Sequence, residues 1–535
     1  MDVSGQTLIE WALTIPGRNL AADDRRALTR ALKSYLSAND PRCGEVAAFV
    51  AVGNAAAAIE LALSIASHAG SQLYPIETAD PESRRIAATR WRDAAIVAGL
   101  ADPVLAVKAS EMARDLDPND AEIWNRYGVY LYRLGSVEAA ESAFSTALLF
   151  AAVNPMQEGE ALANISIIAE ERAEIDRAAE YARRALDVFE RIECEEAQIA
   201  PLEILGSIAR RRGDLGDAEK QLKRALEIAK QLGLRVEETV VLNDLGNVAQ
   251  GHGDLDAAED YYLRSLAIDM QLGRKDGEAA VMGNLGLIAK NRGDLNSAKD
   301  YLKRAIAMFE QLDMQAALAD NLHNMGIVEE KLGNDSVAEA LYERALEINE
   351  RLGLKDKQVH QFAALGAIAW DRRDMSAAQG FHRRALSINE ELGDLEGQAI
   401  ALHNLGDVAG TRRDYISSKD FFLGAFAINE RLGRKSGQAK DLSKLGLLAR
   451  IANDLEAAAD FHMRAMELHQ QAGNEAGLAA ELFSLGLVAA AHDDLSAQCR
   501  FWARSRELYL RLNIMHEVDD IDRQMRVAGC PEYAN

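Results

Sequence analysis

The chain has 535 residues and a net charge of −24, from 84 acidic and 60 basic side chains. This balance argues against nucleic acid as a partner, because nucleic-acid binding needs a basic stripe. It fits either a solvated outer surface or a preference for basic partner segments. The four cysteines are far apart and lack CxxC spacing: Cys43, Cys194, Cys499 and Cys530. We therefore expect ordinary reduced thiols and a cytoplasmic location.

Residues 1–80 do not share the repeat found further along the chain. Helices are expected at Thr7–Leu13, Ala21–Ser37, Glu45–Val52 and Ala55–His68. They could cap the array as helical hairpins or form a small separate domain, and the sequence leaves both open. The start of the chain lacks a basic region followed by an apolar run, so no signal peptide is expected. The apolar stretch 46–67 contains Glu60 and a break at Gly53, which predicts two short buried helices rather than membrane insertion.

From residue 161 to 514, a unit of 40 residues recurs nine times without an insertion or deletion. Residues 81–160 precede it as a degenerate unit and a unit of about 34 residues. A fixed period of this length predicts one array of stacked units rather than several globular domains. Pro201 is the last proline before Pro531, and we expect a kink or a delayed helix start there.

The unit at 241–280 illustrates the pattern. Leu245, Gly246 and Ala249 form a thin apolar stripe on a first helix. A glycine inside a helix costs about 1 kcal/mol relative to alanine, so its recurrence predicts another helix crossing at close range. Asp254 precedes a second apolar-periodic run and predicts an N-cap, and Leu272-Gly273 predicts where that run ends. Each unit is therefore expected to be a helical hairpin that stacks on its neighbours.

The pattern resembles the tetratricopeptide repeat. The matching features are the Leu-Gly pair, the alanine one turn later, the alanines at positions 18 and 25, and an aromatic residue at position 21: Tyr261, Tyr301, Phe381, Phe421, Phe461 and Phe501. The length of 40 residues is similar to the long-helix variety found in kinesin light chains and Pins-type spindle-orientation adaptors. The resemblance implies an all-α fold, an α-α superhelix or solenoid of stacked hairpins, with residues 1–80 as a helical N-terminal segment.

The unit at 481 differs from the others at two stacking positions. It carries Gln498 and Arg506 where other units have small or apolar residues. Polar residues there predict that no further unit stacks on it, so we expect it to be the last full unit. A helix from about His516 to Val527 would cap it, and residues 515–535 are assigned to that capping helix and a tail.

No pattern in the chain supports catalysis. There is no HExxH, no Cys/His cluster and no glycine-rich phosphate loop. Seven aligned aspartates, such as Asp254, are interpreted as N-caps rather than metal ligands or acid–base groups. An arginine often follows an acidic residue by four, as in Asp260–Arg264, which is typical of a solvated helix surface. We therefore expect no enzyme, no cofactor and no metal site.

In the family that the chain resembles, the free side of each first helix lines a concave groove. The candidate groove residues are Arg210, Asn243, Asn247, Gln250, Asn284, Lys290, His323, Asn324, Trp370, His403, Asn404 and Asp407. Asn284, Asn324 and Asn404 resemble the groove asparagines of kinesin light chains, which contact the backbone of a bound peptide. A carboxamide suits this role because it both donates and accepts hydrogen bonds. The same asparagines could instead satisfy polar groups between repeats, and Trp370 could be buried between units.

The resemblance implies a non-enzymatic scaffold or adaptor that binds a peptide or protein segment, extended or helical, in this groove. A second hypothesis is a regulator whose array responds to a ligand or peptide and signals through residues 1–80. The expected partner is a protein or peptide, with basic segments favoured by the charge of the chain. Neither nucleic acid nor membrane insertion is expected.

Overall fold

The computed structural model describes residues 22–38, 40–73 and 79–530. Within these residues it contains 26 α-helices and no strand, as the all-α prediction requires. The helix expected at Thr7–Leu13 lies outside the described residues. No helix in the described ranges is long and apolar enough to cross a membrane. The chain divides into two compact units, Met1–Asp313 and Met314–Asn535.

The described part of the first unit consists of a single helix, α1, followed by seven helical hairpins. In each hairpin a first helix turns back into a second helix. The helices are α1 (Ala22–Leu36), α2 and α3 (Pro41–Ala51, Ala55–Ser71), α4 and α5 (Pro81–Ala98, Pro103–Leu116), α6 and α7 (Ala121–Arg133, Val137–Phe150), α8 and α9 (Pro155–Glu171, Ile175–Arg191), α10 and α11 (Glu195–Arg211, Leu215–Gln231), α12 and α13 (Arg235–Gly251, Leu255–Leu272), and α14 and α15 (Lys275–Arg292, Leu295–Gln311).

The described part of the second unit consists of five hairpins followed by one last helix. Its helices are α16 and α17 (Gln315–Lys331, Asp335–Leu352), α18 and α19 (Lys355–Asp371, Met375–Leu392), α20 and α21 (Leu395–Thr411, Tyr415–Arg431), α22 and α23 (Lys435–Ile451, Leu455–Gln471), α24 and α25 (Glu475–Ala491, Leu495–Arg511), and α26 (Met515–Ala528). Within each unit, successive hairpins pack side by side, as the stacking prediction requires.

The recurrent glycine of the first helix marks the closest approach of the two helices in a hairpin. A Cβ atom placed on Gly246 would lie 2.4 Å from Cε1 of Tyr262, and one on Gly406 would lie 2.6 Å from Cε1 of Phe422. The predicted close crossing is therefore confirmed. The ring that fills it belongs to position 22 of the unit, which is buried, whereas the aromatic residue at position 21, such as Tyr261, is only half-buried.

The predicted helix boundaries are confirmed at both ends of the second helices. The aligned aspartates accept a hydrogen bond from the backbone N–H three residues on: Asp214, Asp254, Asp294, Asp374, Asp414, Asp454 and Asp494. Gly273 and Gly353 end their helices in the left-handed conformation, with φ of 69° and 70°. That conformation lets the last carbonyls of a helix bond to following N–H groups.

The expectation of a delayed helix start at Pro201 is wrong. Helix α10 begins at Glu195 and continues through Pro201 to Arg211. The proline ring removes one backbone N–H, which would otherwise bond to the carbonyl of Ala197. The ring is buried, so packing against neighbouring helices holds the helix together across this missing hydrogen bond.

The expectation of four ordinary thiols is wrong for two of them. Cys499 of α25 and Cys530, just after α26, form a disulfide, while Cys43 and Cys194 are free. Helix α26 packs back on α25, and Arg506 Nη2 donates to Asp522 Oδ2 at 3.2 Å between them. This packing brings together two cysteines that are 31 residues apart, a pairing that sequence spacing alone did not indicate.

Because of the close crossing, we predict that alanine substitution has opposite effects on stability at two glycines of the second unit. Gly406→Ala should lower the free energy of unfolding by about 1–3 kcal/mol, because the new methyl group would overlap Phe422. Gly380→Ala in α19 should raise it by up to about 1 kcal/mol, since no side chain or neighbouring helix lies within 4 Å of the added Cβ. Urea unfolding midpoints of both variants check this; equal midpoints would contradict the proposed crossing.

Candidate binding surfaces on the first helices

The first helices present one partly exposed side, which we call the first-helix face. In α12, Val241, Leu242 and Leu245 are buried, whereas Asn243 and Asn247 are partly exposed. The same alternation recurs in the other units, because residues three and four apart lie on one side of a helix. The candidate groove residues of the sequence analysis lie on this face or at the ends of its helices.

In the first unit, several candidate asparagines bond to other side chains of the protein. Asn284 Nδ2 donates to Asn243 Oδ1 at 2.8 Å, which links α14 to α12. The hydroxyl of Tyr262 donates to Asn247 Oδ1 at 2.8 Å and lies 3.4 Å from Gln250 Oε1. These contacts correspond to the inter-repeat and packing roles that the sequence left open. Lys290 lies half-buried on α14.

Arg210 lies beside a group of carboxylates on the same unit. Burial raises the pKa of Asp244 to about 6, and the nearby charge of Arg210 partly opposes this increase. Burial also raises the pKa of Glu203 well above its usual value, and the carboxylates of Asp244 and Glu237 raise it further. Sequence reasoning did not single out Glu203 or Glu237. The signal available was a pair of acidic residues seven apart, Glu237 and Asp244, on one side of a first helix.

Helix α1 covers part of the first-helix face of the first unit. Its residues Leu28 and Leu32 are fully buried, and they pack in one cluster with residues of α2 to α6. Arg30 Nε donates to Glu122 Oε1 of α6 at 2.9 Å, and Arg26 lies 3.5 Å from Glu196 of α10. An amphipathic helix with arginines on its polar side is therefore already seated on these first helices.

In the second unit, α20, α21 and α22 border an open pocket of about 220 Å³, which we call the His403 pocket. It is lined by Ala399, Ile400, His403, Asn404, Asn429, Arg434, Ser436, Gly437, Lys440 and Asp441. His403 Nδ1 lies 2.6 Å from Asp441 Oδ1. Because a carboxylate only accepts hydrogen bonds, this contact assigns the proton to Nδ1.

One acceptor in the His403 pocket lacks a hydrogen bond. Asn429 Nδ2 donates to Asp441 Oδ2 at 2.8 Å, and the carboxylate fixes this orientation of the carboxamide. Asn429 Oδ1 is buried and has no hydrogen-bond partner among the described residues. The whole side chain is 4% exposed. An unsatisfied buried acceptor costs about 1–3 kcal/mol, so a ligand N–H at this point would be favoured.

Asn429 belongs to a recurrent link between hairpins that sequence reasoning missed. Gln438 Nε2 donates to the carbonyl of Asn429 at 3.1 Å, and Gln398 bonds to Asn389 in the same way. The sequence signal was an asparagine in the last turn of a second helix with a glutamine nine residues on. Asp441 and Lys440 have no such repeated signal, and only the packing of α20 to α22 brings them to the pocket.

The remaining candidates of the second unit are distributed over three first helices. Asp407 lies 2.7 Å from Lys444 and 3.6 Å from Nε2 of His403, so it adjoins the pocket. The ring of His323 lies 5.2 Å from that of Tyr342, and Asn324 is half-buried beside it on α16. Trp370 packs on a cluster formed by Ala369, Ala378 and Val408. No group of metal-binding side chains occurs in the described ranges.

The sequence profile of the family described as Tetratricopeptide repeat matches residues 198–271, 237–311 and 277–351. The matched residues form the same hairpins, with the same aspartate caps and glycine crossings, that recur in both units. The chain therefore contains tetratricopeptide repeats across residues 198–351, and the resemblance found in the sequence is confirmed.

Several solved structures are similar to this chain. A Rap protein complexed with competence and sporulation factor is 16% identical. The match covers 70% of this chain and 99% of the Rap chain, with a TM-score of 0.48. The apo form of the quorum sensor NprR from B. thuringiensis is 14% identical. The match covers 60% of this chain and 93% of the NprR chain, with a TM-score of 0.47. BtubC from P. vanneervenii is 22% identical. The match covers 41% of this chain and 91% of the BtubC chain, with a TM-score of 0.35. No curated protein matches the sequence.

Proposed function

We propose that the protein is a non-enzymatic scaffold that binds segments of partner proteins on its first-helix faces, with the His403 pocket as a principal contact. The observation that carries this proposal is the buried Oδ1 of Asn429, which lacks a hydrogen-bond partner within the described part of the chain. The tetratricopeptide repeats support a role in protein interaction. The polar side chains of the pocket are suited to such a role.

The pocket suits a short stretch of polypeptide. Asn429 Oδ1 can accept a hydrogen bond from a main-chain N–H, and the carboxamide of Asn404 can bond to both an N–H and a C=O. Lys440 is exposed at the pocket and would favour an acidic side chain or a terminal carboxylate. The pocket is small, with a volume of about 220 Å³, so further affinity would come from the neighbouring first helices.

A test is to select peptides from a phage-displayed library on the full chain and to measure their affinities by fluorescence anisotropy. The double variant Asn404→Ala, Lys440→Ala should bind the selected peptides at least tenfold more weakly, a loss of about 1.4 kcal/mol or more. The matched control is Asn296→Ala, Lys419→Ala, which changes the same residue types at exposed positions of second helices. Equal affinities for the two double variants would refute the pocket assignment.

A regulatory role is a second candidate, and the position of α1 favours it. This helix belongs to residues 1–80 and is held on the first-helix face by the pairs Arg30–Glu122 and Arg26–Glu196. A partner that competes for that face would displace α1, which would transmit the binding event to the N-terminal segment.

Charge reversal distinguishes a regulator from a passive scaffold. Arg26→Glu with Arg30→Glu should weaken the docking of α1, because both pairs become repulsive, and limited proteolysis would detect more frequent release of the helix. In a regulator, the release should change the affinity for selected peptides more than threefold. Adding Glu196→Arg should re-form the Arg26–Glu196 pair with its charges exchanged and restore part of α1 docking and of the original affinity. If α1 is released and the affinity is unchanged, the protein acts as a scaffold only.

A further inference from the structure

Three carboxylates form a group on the first-helix face of the first unit, and we call this group the acidic recess. It consists of Glu203 on α10 and of Glu237 and Asp244 on α12. The carboxylates of Asp244 and Glu237 are close enough to Glu203 to raise its pKa. Burial raises the pKa of Glu203 and that of Asp244. The recess therefore brings like charges together in a poorly solvated position.

Among the described residues, the carboxylate of Glu237 has no hydrogen-bond partner to compensate for its burial. Glu237 is 8% exposed, and neither of its carboxylate oxygens forms a hydrogen bond within the described ranges. Glu203 Oε1 is also buried without a hydrogen bond to any described residue. A buried carboxylate is normally paired with a cation or a hydrogen-bond donor. Arg210 approaches Asp244, but it is exposed and does not satisfy Glu237.

The neighbouring part of the same face indicates which group would fill the recess. Glu196 and Glu203 lie seven residues apart on α10, so they are two turns apart on nearly the same side of that helix. Glu196 already pairs with Arg26 of α1 at 3.5 Å. Further along the face, Oε1 of Glu203 has no such partner among the described residues. The surface thus binds a basic helix at one end, and at the other end it holds buried carboxylate oxygens without a hydrogen bond to any described residue.

We propose that the acidic recess binds an arginine or lysine side chain from a partner protein, so that the partner segment bound by the first unit is basic. This inference rests on the proposed function. An organic cation fits better than a metal ion, because no three acidic, histidine or cysteine side chains of the described residues are arranged to hold a metal. Residues 1–21 of the chain itself are a poor source, since they contain Arg18 against Asp2 and Glu10.

A consequence of the proposal is that the recess destabilises the free protein and that the partner relieves this cost. The double variant Glu203→Gln, Glu237→Gln should therefore melt at the same temperature as the wild type or higher when no ligand is present. The same variant should lose affinity for a basic ligand. Opposite effects on stability and binding are what distinguish a ligand site from carboxylates that merely support the fold.

The probe is a fluorescein-labelled amphipathic peptide with three arginines on one helix face, compared with the same peptide carrying citrulline instead. The full chain should bind the arginine peptide at least tenfold more tightly than the citrulline peptide. The double variant of the recess should lose this preference. The matched control, Asp187→Asn with Glu227→Gln, removes two charges from exposed positions of second helices and should keep the preference.

Binding of the arginine peptide to the recess variant as tightly as to the control would overturn the inference, and so would a clear fall in the melting temperature of the recess variant. Glu237→Gln alone and Asp244→Asn provide smaller perturbations for the same measurement, with at least a threefold loss expected. If library peptides still depend on Asn404 while the arginine peptide ignores the recess, only the basic-partner inference fails. If neither surface affects binding, the proposed function fails as well.

Discussion

The structure depends on the close contact between a glycine of the first helix and a large side chain of the second, which recurs in every hairpin from α6 to α25. With Gly246 against Tyr262 or Gly406 against Phe422, no Cβ separates the two helices. This contact sets the distance between the two helices and the rotation of the first helix about its own axis. Its opposite side remains partly exposed in every hairpin. The binding surfaces that we propose are thus a consequence of how the hairpin closes.

Polar groups on and beside the exposed side include two classes. Some are satisfied within the protein, as where Asn284 bonds to Asn243, and these link neighbouring hairpins. Others are buried without a partner among the described residues, as for Oδ1 of Asn429 and the carboxylate of Glu237. Unsatisfied buried groups cost stability, and a ligand that bonded to these two groups would recover part of that cost.

Sequence periodicity was sufficient to predict the hairpins, the aspartate caps and the glycine crossings, because each of these features depends on contacts within one repeat. It identified His403 and Asn404, but not Asp441, Asn429 or Lys440, which adjoin them through the packing of separate helices. The docking of α1 and the disulfide of Cys499 are also long-range contacts. Neither follows a period, so neither left a pattern that the sequence analysis could detect.

In the most direct measurement, a photo-crosslinking amino acid replaces one of two isoleucines, and the full chain is illuminated in the presence of a selected peptide. Ile400 lines the His403 pocket and is 48% exposed, whereas Ile416 lies on the second helix of the same hairpin and is 80% exposed. If partners bind on the first-helix face, the peptide should be captured from position 400 and not from position 416. Capture from 416 alone would contradict the account.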